Sequence, residues 1–239
     1  MSVVDPVVQA RSLRFGWGGE PVVADFSLSV APGRVCVLLG PSGCGKTTVL
    51  RLLAGLLRPE AGAVTVRGPI GMAFQDPRLL PWMTVRENIG FALEAAGVPR
   101  ADWSGRIEPL LARVGLGHAG DQRPDSLSGG MAQRASLARA LALAPACLLM
   151  DEPFGALDPM LRERLQGDLQ GALGETAAVL VTHDMAEALV LGDEVLVLGA
   201  GCTIRARVSV GAPRPRGEAW RLSEAFLALA RELRGALAQ

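Results

Sequence analysis

The spacing of apolar residues changes several times along the chain, and each change predicts a different element. Up to residue 40 the apolar positions alternate or run together in short stretches. Runs at 22–30 and 34–39, separated by the turn Ala31-Pro32-Gly33, predict β-strands. The period then becomes helical from 46 to 57, where Val49, Leu50, Leu52, Leu53 and Leu56 share a face and Pro59 is expected to close the segment. Two short strands are predicted next, at 63–67 and 70–74, read as a hairpin that is short for its kind. A proline-marked loop, 75–83, follows.

The middle of the chain reads as helical. Thr84 is a good N-cap and Glu87, three residues on, completes a capping box, with Ile89, Phe91 and Leu93 as apolar positions. Further helices are predicted at 103–114 and 129–143, so 84–144 reads as a helical insertion. After it comes a βαβ rhythm: strands at 147–150, 177–182 and 194–198 alternate with helices at 159–173 and 185–191, which predicts a parallel sheet. The tail from Gly217 carries Leu222, Phe226, Leu229 and Leu233 at helical spacing, an amphipathic stripe. There is no internal repeat.

Composition narrows the function. Acidic and basic residues balance to a formal charge of zero, which disfavours a nucleic-acid partner. Lys46 is the only lysine; every other basic residue is an arginine, so its retention points to a chemical requirement. Cys36, Cys44, Cys147 and Cys202 form no C-x-x-C pair and are expected to be buried free thiols in a reducing compartment. The first residues lack a signal-peptide pattern, and no segment approaches the roughly 20 apolar residues of a membrane span. Any membrane role is expected to run through a partner.

The chemistry sits at two places. Gly40-Pro41-Ser42-Gly43-Cys44-Gly45-Lys46-Thr47 satisfies G-x-x-x-x-G-K-[ST] and lies between a buried strand and a helix start, the setting in which backbone N–H groups and a positive helix end cradle phosphates. There Lys46 reaches the β and γ oxygens, the Thr47 hydroxyl ligates magnesium, and Thr48 continues the loop. Cys147-Leu-Leu-Met-Asp151-Glu152 delivers two carboxylates at the end of a buried strand: Asp151 to hold magnesium, Glu152 to polarise the attacking water. These two elements establish nucleotide chemistry without naming the machine.

Leu127-Ser128-Gly129-Gly130-Met131-Ala-Gln133-Arg134, placed between them, resembles the signature sequence of ATP-binding-cassette (ABC) ATPases. Gln75 in Ala-Phe-Gln-Asp, Gly155-Ala-Leu-Asp158 and His183 in Val-Thr-His-Asp follow in the family's order, so the resemblance covers essentially the whole chain. It implies an α/β P-loop NTPase fold with a mainly parallel core sheet, an antiparallel β part near the N-terminus and an inserted helical subdomain, all as one domain over 1–239. It also implies ATP and Mg2+ as cofactors, and two cassettes arranged head to tail. In that arrangement Ser128, Gly129 and Gly130 bind the γ-phosphate of the nucleotide held by the other copy. Gln75 senses magnesium and the attacking water, Asp158 crosses the dimer interface, and His183 hydrogen-bonds the γ-phosphate. An aromatic near the N-terminus stacks on adenine; Trp17 matches the spacing and Phe15, two residues earlier and on the same strand face, is the alternative. His118 is read as surface.

The loop from Gln75 to Val85 and the run from Asp151 to Asp158 are similar to the nitrate, sulfonate and taurine branch of bacterial importers; exporter cassettes more often carry Thr and Asn where Phe154 and Ala156 stand. The implied role is the ATPase subunit of an importer, peripheral on the cytoplasmic face of the inner membrane. It would work with a second copy, a transmembrane permease and, indirectly, a solute-binding protein. An exporter ATPase or a non-transport ABC complex is the alternative. Leu79, Leu80 and Trp82 either receive a short permease helix or pack on the helical insertion. Met131 replaces the commoner glutamine, and residues 201–239 leave no room for a regulatory module.

Overall fold

The structure, a computed structural model, describes residues 5–155 and 157–238. Ala156 and the first four residues, which entered the branch comparison and the signal-peptide reading, lie outside the described residues.

Among the described residues nine strands form two sheets. β1 (Val8–Gly16) is central in a three-stranded antiparallel sheet, flanked by β2 (Pro21–Val30) and β4 (Ala61–Val66). The larger sheet is built on β3 (Val35–Leu39), with β5 (Ile70–Ala73), β6 (Cys147–Asp151), β7 (Ala177–Thr182), β8 (Glu194–Leu198) and β9 (Ile204–Ser209). Its order is β5-β6-β7-β3-β8-β9; the pairs through β8 are parallel and β8–β9 is antiparallel.

Successive residues of the inner strands point to two different cores. Val35, Val37 and Leu39 of β3, with Leu148, Met150, Ala178 and Leu180, face the helical side. Cys36, Leu38, Leu149, Val179 and Val181 face α1 (Lys46–Leu53) and the antiparallel sheet. Burial on both faces explains why these strands read as continuous apolar runs. The helical side carries α2 (Val85–Ala95), α3 (Trp103–Arg113), α4 (Gly129–Ala142), α5 (Pro159–Leu173) and α6 (Met185–Leu191). α7 (Glu218–Arg221) and α8 (Glu224–Leu237) close the chain. α2 opens with the expected capping box, Thr84 Oγ1 accepting from Glu87 N–H and Glu87 Oε2 from Thr84 N–H.

Four readings are corrected, and one strand is added to them. α1 stops at Leu53, because Gly55 takes φ +71° and its N–H bonds Leu52 O while Leu56 N–H bonds Arg51 O, a Schellman motif that ends the helix before Pro59. β4 and β5 are not a hairpin: β4 pairs with β1, and β5 pairs with β6 in the other sheet. Phe91 is 48% exposed, on the face of α2 opposite Ile89 and Leu93. Leu222 is 76% exposed and falls between α7 and α8, so the apolar stripe begins at Phe226 and ends on buried Leu233 and Ala236. β9 was not foreseen; it is an edge strand whose Arg205 and Arg207 interrupt the apolar pattern. All four cysteines are buried and free, as expected.

Candidate active site

Sheet order assembles the site. Gln75 follows β5, Glu152 follows β6, His183 follows β7 and the glycine-rich loop follows β3, and these four strands are consecutive neighbours. Residues far apart in sequence therefore meet along one carboxyl edge of a parallel sheet, where such sheets bind ligands. They enclose a cleft of about 320 Å³ lined by Ser42, Gly43, Gly45, Lys46, Thr47, Thr48, Gln75 and Glu152 together with Val22 and Val181.

The loop is shaped by its backbone. Gly45, the N-cap of α1, has φ +107°, and a Cβ there would lie 2.6 Å from Val22 O and 2.7 Å from Cys202 Sγ, so no other residue fits. With no side-chain cap and no acidic residue in the first turn, the positive end of α1 is left open toward the cleft. Lys46 is buried, its Nζ donating to Gly40 O at 2.8 Å, to Pro41 O at 2.7 Å and, more weakly, to Cys44 Sγ at 3.9 Å, so its three N–H donors are held by the loop itself. Cys44 sits behind the loop: the hydrogen bond from the Cys202 thiol, ahead of the nearby Lys46 charge, pulls its thiol below the usual range, while that same bond and burial push Cys202 up.

Asp151 is buried, and desolvation raises its carboxyl above the usual range against an opposing hydrogen bond from Thr47. That pairing puts a carboxylate beside the Thr47 hydroxyl, and Thr47 lines the cleft together with Gln75. This is an oxygen donor set that suits magnesium, which takes few protein ligands and completes its shell with phosphate and water. Glu152 is the hub of the site. Its Oε2 lies 3.4 Å from Gln75 Nε2 and its Oε1 lies 3.1 Å from His183 Nδ1. Its backbone is held at φ +46°, a region that costs a non-glycine residue about 1 kcal/mol or more and is found at functional positions. The Glu152 N–H bond to Val181 O, 2.9 Å, fixes it there.

Other candidate residues stand apart from this cleft. Ser128 caps α4, accepting from Met131 N–H at 3.3 Å, and is exposed together with Gly129. Asp158 caps α5 through Leu161 N–H and is also exposed. Neither segment lines the cleft of its own chain. Trp17 lies beyond the end of β1, 65% exposed, with its ring 4.9 Å edge-on from Phe15, while Phe15 is 8% exposed. The same-face argument for the two aromatics therefore fails, because the strand ends between them. His118 is exposed.

Several supporting residues escaped the sequence reading. Gln133 Nε2 donates to Phe74 O, and Arg139 donates to Pro77 O and Arg78 O, so the signature helix holds the loop that carries Gln75. Asn88 pins the same loop through Leu80, Met83 and Thr84. Leu79 packs on the core beneath, whereas Trp82 is exposed and lines an outer groove with Phe91 and Trp103. Glu187, buried behind His183, was missed although its place in His-Asp-x-x-Glu sets it one helical turn from the histidine.

Residues 23–155 match the family described as ABC transporter. The chain is 45% identical over 217 residues to the aliphatic sulfonates import ATP-binding protein SsuB 1 of Pseudomonas savastanoi pv. phaseolicola, covering 89% of each. It is 47% identical over 197 residues to the taurine import ATP-binding protein TauB of Pseudomonas putida, covering 78% of this chain and 75% of that one. Among solved structures, an ATP-binding subunit of an ABC transporter superposes with a TM-score of 0.82 at 24% identity, covering 98% of this chain and all of that one. A dimeric ATP-binding cassette in a post-hydrolysis state with ADP and Pi superposes with a TM-score of 0.76 at 27% identity, covering 86% of this chain and all of that one.

Proposed function

The chain belongs to the ABC transporter ATPase family, and from that membership we propose that it is the ATP-hydrolysing subunit of an importer for a small sulfonate, taurine-like or related anion. The central support is Glu152, whose two carboxylate oxygens face Gln75 and His183 at the mouth of the glycine-rich cleft. Import of aliphatic sulfonates and taurine in the names of the similar proteins supports the direction and the solute class, and nothing in the site favours an exporter.

The triphosphate lies against the N–H groups of residues 40–48 and the positive end of α1, with Lys46 turning from the loop carbonyls to the phosphates. Thr47, Asp151 and Gln75 are the residues that would hold magnesium, which neutralises charge on the phosphates when bound. Glu152 takes the proton of the attacking water, and His183, as an imidazolium, donates from Nδ1 to Glu152 and from Nε2 to a γ-phosphate oxygen. Trp17 is the aromatic available to adenine. Ser128, Gly129 and Gly130 supply a second set of N–H donors to the nucleotide of another copy, and Asp158 lies at the same contact.

The whole chain acts as one cassette, with 84–144 as its helical subdomain. Among the described residues no helix is long and apolar enough to cross a membrane, so passage of solute falls to a permease, with the groove around Trp82, Phe91 and Trp103 as its docking point. A solute-binding protein delivers the anion, and the cassette sits on the cytoplasmic face.

The test is reconstitution in proteoliposomes with the neighbouring permease and binding protein. ATP-dependent uptake of taurine or a short alkanesulfonate in preference to nitrate is expected. Turnover with solute moving only outward would overturn the reading.

A further inference from the structure

Behind the catalytic pair lies a second, smaller cavity that the mechanism above does not use. It is lined by Glu152 and His183 on one side and by Arg162, Thr182, Asp184 and Glu187 on the other. Glu187 is 5% exposed. Among the described residues no arginine or lysine pairs directly with it; the Gln166 amide lies 3.4 Å from Oε1, and Thr182 lines the same cavity. A carboxyl group placed in that setting is expensive to ionise, and such groups belong to functional sites more often than to plain cores.

The contacts form a chain. Arg221 of α7 donates to Gln166 Oε1 at 2.7 Å, and Gln166 donates onward to Glu187. The Thr182 hydroxyl, which lines the cavity with Glu187, accepts from Asp184 N–H at 3.0 Å. Thr182 and Asp184 flank His183, so their bond sets the turn that aims the imidazole at Glu152. A carboxylate at Glu187 can only accept, which orients the Thr182 O–H toward it and the Thr182 lone pairs toward Asp184 N–H. A neutral carboxyl can itself donate to Thr182, so that the hydroxyl oxygen is shared with Asp184 N–H and the hold on the turn is loosened.

We propose that Glu187 is a positioning residue that, when ionised, locks the Thr182–Asp184 turn and thereby His183 against Glu152, so that ATP hydrolysis follows the protonation of this buried carboxyl. The inference rests on the reading of Glu152 and His183 given above. The groups that bear on Glu187 are few. Burial raises its pKa to about 7, the Asp184 charge adds to this, and the Thr182 and Gln166 bonds and the Arg162 charge oppose it. Arg162 is itself shared with Asp184 at 3.6 Å, and Arg221 with Glu163 at 3.7 Å, so neither is free to compensate Glu187 fully.

The experiment compares Glu187→Gln with the unaltered chain. Glutamine has the same shape and stays neutral. The kcat of the unaltered chain is expected to rise from pH 6 to pH 8, and the ratio of its kcat to that of the variant from about one to about fivefold, with KM for ATP unchanged. Thermal unfolding separates this from a structural effect. Because the folded-state pKa lies above the unfolded value, the ionised group destabilises the fold at pH 8, and the cost fades as pH falls through 7 toward the unfolded value. Glu187→Gln should therefore melt higher at pH 8 while turning over more slowly.

A kcat ratio that is the same at pH 6 and pH 8, or a loss of turnover that tracks a lower melting temperature, would overturn the inference. His183→Ala serves as the control. If that variant retains full turnover, the reading of the catalytic pair fails and the inference with it; if it is inactive while the Glu187 ratio stays flat, only the inference fails.

Discussion

Two helix starts in this protein look alike in sequence and differ in their surroundings. α1 and α4 both begin at small residues, and neither carries an acidic residue in its first turn, whereas α2, α6 and α8 all do. An uncompensated helix N-terminus favours an anion. Around α1 the anion site is walled: Lys46 and Thr47 of its own first turn meet Gln75 and Glu152, which come from the ends of neighbouring strands. Among the described residues no comparable cluster meets the start of α4, and Ser128 and Gly129 are exposed. The difference accords with the proposal that each chain carries one half of a phosphate site and presents the other half to a second copy, an arrangement that would generate two equal sites.

Breaking either half should show it. Lys46→Ala is expected to have the largest effect, lowering ATPase activity by about 100-fold or more and weakening nucleotide binding as well, since its charge compensation is lost. Ser128→Arg should lower turnover comparably but leave nucleotide binding by the single chain within about twofold, because the bulky cation blocks only the presented half. An assay pairing steady-state ATPase with fluorescent-nucleotide titration separates the two.

Mixing these two inactive variants sharpens the comparison. In a mixed head-to-tail dimer both defects fall in one site and the other is intact, so an equimolar mixture is expected to recover up to about a quarter of full activity. Recovery of none would count against shared sites. The smallest change is Ser128→Ala, which removes only the cap from Met131 N–H. About 1 kcal/mol of stability and a few-fold in turnover are expected to go.

Much of the fold was legible because its signals are local. The three inner strands from Cys147 onward fall where the apolar runs put them, since a strand buried on both faces has no polar positions to blur its ends. The capping box of α2 declared itself through two side chains three residues apart. β9 did not, because an edge strand with outward arginines lacks the pattern that burial imposes. The supposed hairpin of β4 and β5 failed for a related reason: adjacency in sequence does not say which sheet a strand joins.

By itself the sequence determined the chemistry of each segment: a glycine loop with one lysine, two carboxylates after an apolar run, a small-residue helix start, a histidine after a strand. Only the tertiary structure decided that Gln75, Glu152 and His183 form one cluster and that Ser128 does not join it. The physical reason is strand order. A crossover topology sets β5, β6, β7 and β3 side by side whatever their distance along the chain, and it buries Glu187 behind His183, a placement that no local pattern encodes.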